Sequence, residues 1–289
     1  MNKIAVIDIG SNSVRLMTIA NGKVLYKKIR TTRLGEGLAF SKILQPTAMN
    51  RTLDGIGEFL ESIKTESVEQ VFAYATAAVR SAENGQDFVE KVFDRFSLNV
   101  EVLSGEKEAE IGILGALGKQ DGAIVDIGGA STEIIAQTDG KIFYEKSLNI
   151  GVVRIKDLCG RDQKAVNRLG KETVMEYGNV VLPEKVYAIG GSATTLAALA
   201  LGLEEYDGKK VSGVTLTKGQ VREIADKLFT MTVEKIAEIP CVDKLRAEVL
   251  AGGVEWLCVI MEHFSLDTIT VSDGDNLEGY AVSKGWLNE

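Results

Sequence analysis

The 289-residue chain is poor in histidine, cysteine and proline: it has one histidine, three cysteines and three prolines. The lone His263 ends an apolar stretch, so no pair of imidazoles is available for metal or acid–base work. Cys159, Cys241 and Cys258 show no CxxC spacing, and their number is odd. They read as reduced thiols rather than a disulfide framework or a zinc site. Positive charge is also short, with 33 Lys and Arg against 41 Asp and Glu, a net charge of −8. Broad nucleic-acid binding wants a basic face and is not expected. An acidic chain that handles a strongly anionic substrate must hold it with backbone amides, a few placed basic side chains and a divalent cation. No apolar run reaches the roughly 18 residues of a membrane span. The longest, Val249 to Met261, is broken by Glu255 and two glycines. The first apolar stretch ends at Asp8, without the look of a signal peptide. The expectation is a cytoplasmic protein with no membrane and no nucleic-acid partner. Its assembly state is open, a homodimer being one form.

What is present is a repeat. VIDIGSNSVRLMTIANGKVLYKK, Val6 to Lys28, returns as IVDIGGASTEIIAQTDGKIFYEK, Ile124 to Lys146. The offset is a constant 118, since 126 − 8 and 140 − 22 agree for the aspartates and the turn glycines. A unit this long, occurring twice, predicts two related domains rather than a solenoid. With 45% apolar residues the chain can bury a sizeable core.

The local pattern supports that reading. Lys3 to Ile7, Val14 to Ala20 and Lys23 to Thr32 read as strands, the last two joined by Asn21-Gly22, a strong hairpin signal. Pro46 to Ile63 has helical spacing and opens on proline. A strand at 71–74, a helix at 87–96, a strand at 100–103 and a helix at 107–117 follow. The pattern then restarts: strands at 123–127, 133–136 and 141–147, with Asp139-Gly140 as the second hairpin. A strand at 186–189, helices at 193–201, 218–229 and 245–263, and a strand at 268–271 complete it. Hairpins followed by alternating strands and helices predict an α/β protein with mixed sheets and helical layers. The cleft between two such domains is the default site.

Three loops follow buried strands. DIGSNS brings Gly10, Ser11, Asn12 and Ser13 together, with Arg15 near the mouth. DIGGAST does the same with Gly128, Gly129, Ala130, Ser131 and Thr132. AIGGSATT sets Gly190, Gly191 and Ser192 between a strand and a helix N-terminus, where the dipole favours an anion. Such turns let backbone N–H groups converge on phosphate, with hydroxyls as further donors. Asp8 and Asp126 end their strands beside these loops, and Glu133 stands where the first repeat has Arg15. Carboxylates so placed suit Mg²⁺, which takes a few of them plus substrate oxygens. Asp8 has an alternative use as a cap for its own turn.

The three loops in this order resemble those of the actin, Hsp70 and sugar-kinase superfamily. The finer pattern resembles one branch, the exopolyphosphatase and guanosine pentaphosphate phosphohydrolase (Ppx/GppA) family. The stretches that carry the likeness are TTRLGEGL (Thr31 to Leu38), ATAAVRSAENG (Ala75 to Gly85), LSGEKEA (Leu103 to Ala109), DIGGASTE (Asp126 to Glu133) and VSDGDNLEG (Val271 to Gly279). The resemblance implies two actin-like (ribonuclease H-like) domains, 1–118 and 119–276, with the segment 277–289 packing back on the first. It implies an active site in the interdomain cleft and hydrolysis of phosphoanhydrides assisted by Mg²⁺ or Mn²⁺. It makes Glu108 the essential glutamate, with Arg80, Asp126 and Glu133 as partners. Read from the residues alone, Glu108 is one acid among three in a helix start, with Glu106 the easiest to confuse with it.

The implied substrates are inorganic polyphosphate, first, or guanosine pentaphosphate. A nucleotide- or polyphosphate-binding sensor of weak turnover and a kinase of the same superfamily are the other classes. No sugar-binding signature supports the kinase. Departures from the family pattern are Ala130 for a glycine, Ser212-Gly213 for a His-Gly pair, and Leu277 for an arginine. The chain stops soon after the last motif, as in a short two-domain form.

Overall fold

A computed structural model of the chain describes residues 3–288. They form two compact units, one running through Gly115 and resuming at Asn276, the other Ala116–Asp275.

The first unit is built on β1 (Lys3–Ile9), β2 (Ser13–Ala20), β3 (Lys23–Thr31), α1 (Pro46–Ile63), β4 (Gln70–Ala75), α2 (Ala77–Ser81), α3 (Gly85–Phe96), β5 (Val100–Val102) and α4 (Gly105–Leu117). Its five-stranded sheet has the order β3-β2-β1-β4-β5. The β1–β2 and β2–β3 pairs are antiparallel, and β4 joins β1 in parallel. The β2–β3 turn has positive φ at Asn21 (54°) and Gly22 (69°), the pair of left-handed residues that an Asn-Gly hairpin turn needs. Strand alternation sends Ala5, Ile7 and Ile9 into one core, with Met49, Leu53 and Ile56 of α1. Val6, on the opposite face, joins a second core with Ile111 of α4. A closing helix, Asn276–Ser283, covers that face through Leu277, Tyr280 and Ala281.

The second unit repeats the scheme. It contains β6 (Gly122–Ile127), β7 (Thr132–Thr138), β8 (Lys141–Leu148), α5 (Val152–Cys159), α6 (Gln163–Val174), β9 (Val186–Ile189), α7 (Gly191–Ala200), α8 (Gly208–Val211), β10 (Thr215–Thr217), α9 (Lys218–Thr230), α10 (Val233–Ala237), α11 (Ala247–His263) and β11 (Thr268–Val271). The sheet order, read from the β8 edge, is β8-β7-β6-β9-β11-β10. Its first five strands reproduce the order of the first sheet, and β10 is an antiparallel addition. The second hairpin again has two positive φ values, Asp139 (53°) and Gly140 (67°). Helix α11 is buried along nearly its whole length, as expected of a helix apolar all round. No helix among the described residues is long and apolar enough to cross a membrane.

The strands and the longer apolar helices fall within a few residues of the sequence expectation. Helices α2, α5, α6, α8 and α10, strand β10 and the closing helix were not expected. Helix α6 buries only Val166, Gly170 and Val174. That narrow, mostly small stripe is why its sequence reads as surface.

Candidate functional site

In the first unit, the Gly10 amide donates to the Ser13 carbonyl at 3.0 Å and closes the turn after β1. The carbonyl side of the turn is then consumed. Ser11 O accepts from Gly35 N (2.8 Å), and Asn12 O accepts from Thr32 N (3.0 Å) and Arg33 N (2.9 Å). The TTRLGEG stretch thus braces the loop from behind. No acceptor among the described residues takes the amides of Ser11 or Asn12, which leaves them for an anion.

Asp8 is 2% exposed and faces Arg15 across the β1–β2 ladder. Arg15 Nε donates to Asp8 Oδ2 at 2.8 Å, and Nη2 reaches the same oxygen. Arg15, expected at a phosphate, is therefore also the counter-charge of Asp8. Asp8, expected at a metal, already holds a cation from its own unit.

Glu108 lies in the first turn of α4, where its amide donates to Ser104 O at 2.9 Å. It is buried, whereas Glu106 and Glu110 are exposed, because one face of the turn packs inward. Arg80, in α2, donates from Nη1 to Glu108 Oε2 at 2.7 Å and to Leu103 O at 2.8 Å. Burial raises the Glu108 carboxyl above its usual value. The Arg80 charge and hydrogen bond pull it down, the nearby Asp8 charge pushes it up, and a Thr76 hydrogen bond lowers it; the net direction is up. Arg80, Glu108, Thr76, Asp8 and Arg15 thus form one cluster at the C-terminal end of β1 and β4.

The second unit carries the same turn. Gly128 N donates to Ser131 O at 3.0 Å, and Gly129 O accepts from Val153 N at 2.8 Å. Val153 is Gly35 plus 118, so even the bracing bond obeys the repeat offset. The amides of Gly129 and Ala130 have no acceptor among the described residues. Asp126 and Glu133 face each other across β6 and β7, the positions of Asp8 and Arg15 in the first unit. Ser147 Oγ donates to Glu133 Oε1 at 2.5 Å.

Two strand-end carboxylates facing each other are donors of the type that Mg²⁺ or Mn²⁺ takes, so Asp126 and Glu133 suit such an ion. No group of three or more His, Cys, Asp or Glu among the described residues makes a fuller ligand set. Thr132 differs from expectation. Its hydroxyl donates to Ile150 O (2.5 Å) and accepts from Trp256 Nε1 (3.0 Å), so it is committed to the core.

The third loop lies against Asp126. Gly190 has φ +83°, and a Cβ there would sit 2.9 Å from Asp126 Oδ1. At Gly191 a Cβ would fall inside the guanidinium of Arg246. Arg246, 9% exposed at the start of α11, thus lies on the same turn. Arg154, in the first turn of α5, donates its amide toward Gly129 O at 3.4 Å. Neither arginine was signalled by the sequence, because tertiary packing alone brings them to the loops. Ser192 is 5% exposed and packs toward Gly253 of α11. Of the departures, Leu277 is core, and Ser212 Oγ accepts from Asp273 N at 3.2 Å.

Two braced amide turns, a buried glutamate on an arginine in one unit and paired carboxylates in the other define a duplicated α/β protein equipped for phosphate chemistry. Residues 13–285 match the Ppx/GppA phosphatase family, and the chain belongs to that family. It is 32% identical over 313 residues to the bifunctional 3-dehydroquinate synthase/phosphatase of Fusobacterium nucleatum, covering 99% of this chain but 47% of that protein. It is 29% identical over 315 residues to exopolyphosphatase 2 of Mycobacterium tuberculosis, covering 98% of each. Among solved structures, the Ppx/GppA family member of Aquifex aeolicus superposes with a TM-score of 0.78 at 31% identity, over 98% of this chain and 97% of that one.

Proposed function

We propose that the protein is a divalent-metal-dependent phosphoanhydride hydrolase that removes terminal phosphate from inorganic polyphosphate. The observation that carries the reading is Glu108, a buried carboxylate held by Arg80 near Asp8 and Thr76. Phosphoryl transfer to water asks for an aligned nucleophile and charge stabilisation, with little covalent work by the protein. Glu108 orients the water and takes its proton as the oxygen approaches the terminal phosphorus. The bond from that phosphorus to the bridging oxygen breaks, and the shortened chain leaves with the electron pair. Arg80 fixes the Glu108 carboxylate and offsets phosphoryl charge with its guanidinium. In the first unit the free amides of the Gly10–Ser13 turn bind phosphoryl oxygens; in the second, the Gly128–Ser131 turn with Gly190, Gly191 and Ser192 supplies groups of the same kind. Asp126 and Glu133 would hold Mg²⁺ or Mn²⁺, which when bound neutralises phosphoryl oxygens.

The full-length match to the exopolyphosphatase of M. tuberculosis favours polyphosphate over guanosine pentaphosphate as the substrate. The test is phosphate release from long-chain polyphosphate, guanosine pentaphosphate and ATP in parallel, with and without Mg²⁺. Polyphosphate should be the fastest of the three, and Glu108→Gln should abolish release, a loss of about 10²–10⁴-fold for a removed general base. Full activity in a folded Glu108→Gln protein would overturn the assignment.

A further inference from the structure

A cavity of about 540 Å³ lies on the second unit between α6, α9 and α11, apart from the three loops. Its volume is within the range of small-ligand sites. Four cations, Lys164, Arg168, Lys171 and Arg222, line it against two carboxylates, Glu172 and Glu255. In a chain of net charge −8 this is a local reversal of sign.

The base of the cavity is tied by hydrogen bonds. Glu255 is fully buried and accepts three hydrogen bonds. Arg222 Nη1 (2.6 Å) and Gln163 Nε2 (3.0 Å) donate to its Oε2, and Asn167 Nδ2 (2.8 Å) donates to its Oε1. Arg222 also reaches Glu262 at 3.2 Å. The buried carboxylate is therefore neutralised before any ligand arrives.

The rim is different. Lys164, Arg168 and Lys171 are exposed and have no ion-pair partner among the described residues. They occur at i, i+4 and i+7 on α6, one face of the helix. At 1.5 Å per residue the row spans roughly 10 Å. A row of three unpaired cations of that length suits a linear oligoanion better than a single small anion.

We infer that this cavity is a second anion site, which holds a linear oligophosphate along α6 away from the phosphate loops. The choice of ligand rests on the polyphosphate reading above, whereas the site itself rests on the charge row and the cavity. The ligand contacts the Lys164, Arg168 and Lys171 side chains and leaves the Glu255 network intact. Exposed Lys and Arg contacts are individually weak and salt-sensitive, so the site depends on several charges acting together.

The test uses the full chain carrying Glu108→Gln, so that a bound oligophosphate is not consumed. Tripolyphosphate is titrated by calorimetry into this protein and into the same protein with Lys164→Gln, Arg168→Gln and Lys171→Gln. Thermal unfolding of both checks that the fold is kept. The expected result is loss of one equivalent of bound tripolyphosphate, or a fall of about tenfold in its affinity, in the second protein. Inorganic phosphate should bind the α6 row too weakly to distinguish the two proteins. Equal stoichiometry and affinity in two folded proteins would overturn the site. Phosphate release by the wild-type chain tests the catalytic reading separately: a protein with no hydrolysis but a lost equivalent keeps the second site and sinks the first proposal.

Discussion

Removing Arg80 gives the sharpest test of the catalytic assignment. Arg80→Ala deletes the donor at 2.7 Å from Glu108 Oε2 and leaves that carboxyl buried beside the negative charge of Asp8. An opposite charge at such a distance ordinarily lowers a carboxyl pKa by about 1–3 units, and its loss reverses that. The Glu108 carboxyl already lies above its usual value in the folded protein, so the change is further upward. A general base works only when deprotonated, so turnover falls as pH drops through this pKa. The acid limb of kcat/KM should move up by about 1–3 pH units in Arg80→Ala. Activity near neutrality should be largely lost and should partly return in alkaline buffer. Arg80→Lys, which keeps the charge, should shift the limb less.

Stability supplies a second readout with its own sign. A carboxyl whose folded pKa is raised contributes stability below its unfolded pKa, and that contribution is lost as pH rises through the folded value. Above that window, Glu108→Gln should unfold no earlier than wild type and gain about 1.4 kcal/mol for each unit of upward shift. Phosphate release across pH, with circular dichroism to check folding, decides the matter. An acid limb at the same pH in wild type and folded Arg80→Ala would show that Glu108 is not the titrating base.

Two further outcomes follow from the second unit. Asp126→Asn or Glu133→Gln should weaken Mn²⁺ binding, read by electron paramagnetic resonance, by about tenfold or more, whereas Asp8→Asn should not. Arg222→Ala strips the buried Glu255 of its counter-charge and should cost about 3–5 kcal/mol in urea unfolding. Burial alone would raise the Glu255 carboxyl, but hydrogen bonds from Arg222, Asn167 and Gln163 and the Arg222 charge outweigh it and hold it low. That contribution is present above the unfolded carboxyl pKa and lost as pH falls through the folded one, so acid should destabilise wild type more than the variant.

The sheets were legible because their signals are local. Alternation, two Xaa-Gly hairpins and the constant offset of 118 mark the strands without reference to the rest of the chain. Helix α1 was legible through Pro46 and a wide apolar face. Helices α5 and α6 were not expected, and each buries only three residues. The segment 277–289 was expected to pack back on the first domain but not to be helical; its close fit shows at Gly279, where a Cβ would come within 1.7 Å of the Ile111 carbonyl oxygen. Two loops of the candidate site could be read from the repeat, and the third from a Gly-Gly pair between a strand and a helix. The distinction between Glu106 and Glu108 could not, because it depends on which side of the α4 turn faces inward. Arg246 could not be read either, because it reaches the Gly190–Gly191 turn through the fold alone.

The duplication also shows where the two units diverge. Both keep the Gly-to-Ser turn closure at 3.0 Å and the bracing bond at 2.8 Å, so selection of backbone geometry has been common to them. At the partner position of the strand-end aspartate they differ by two charges, Arg15 in one unit and Glu133 in the other. The first unit carries its cation covalently, as a guanidinium on Asp8. The second sets two carboxylates opposite each other, with Arg246 at the neighbouring Gly190–Gly191 turn. The proposed metal pair thus falls in one half of the repeat, and the proposed general base with its arginine in the other.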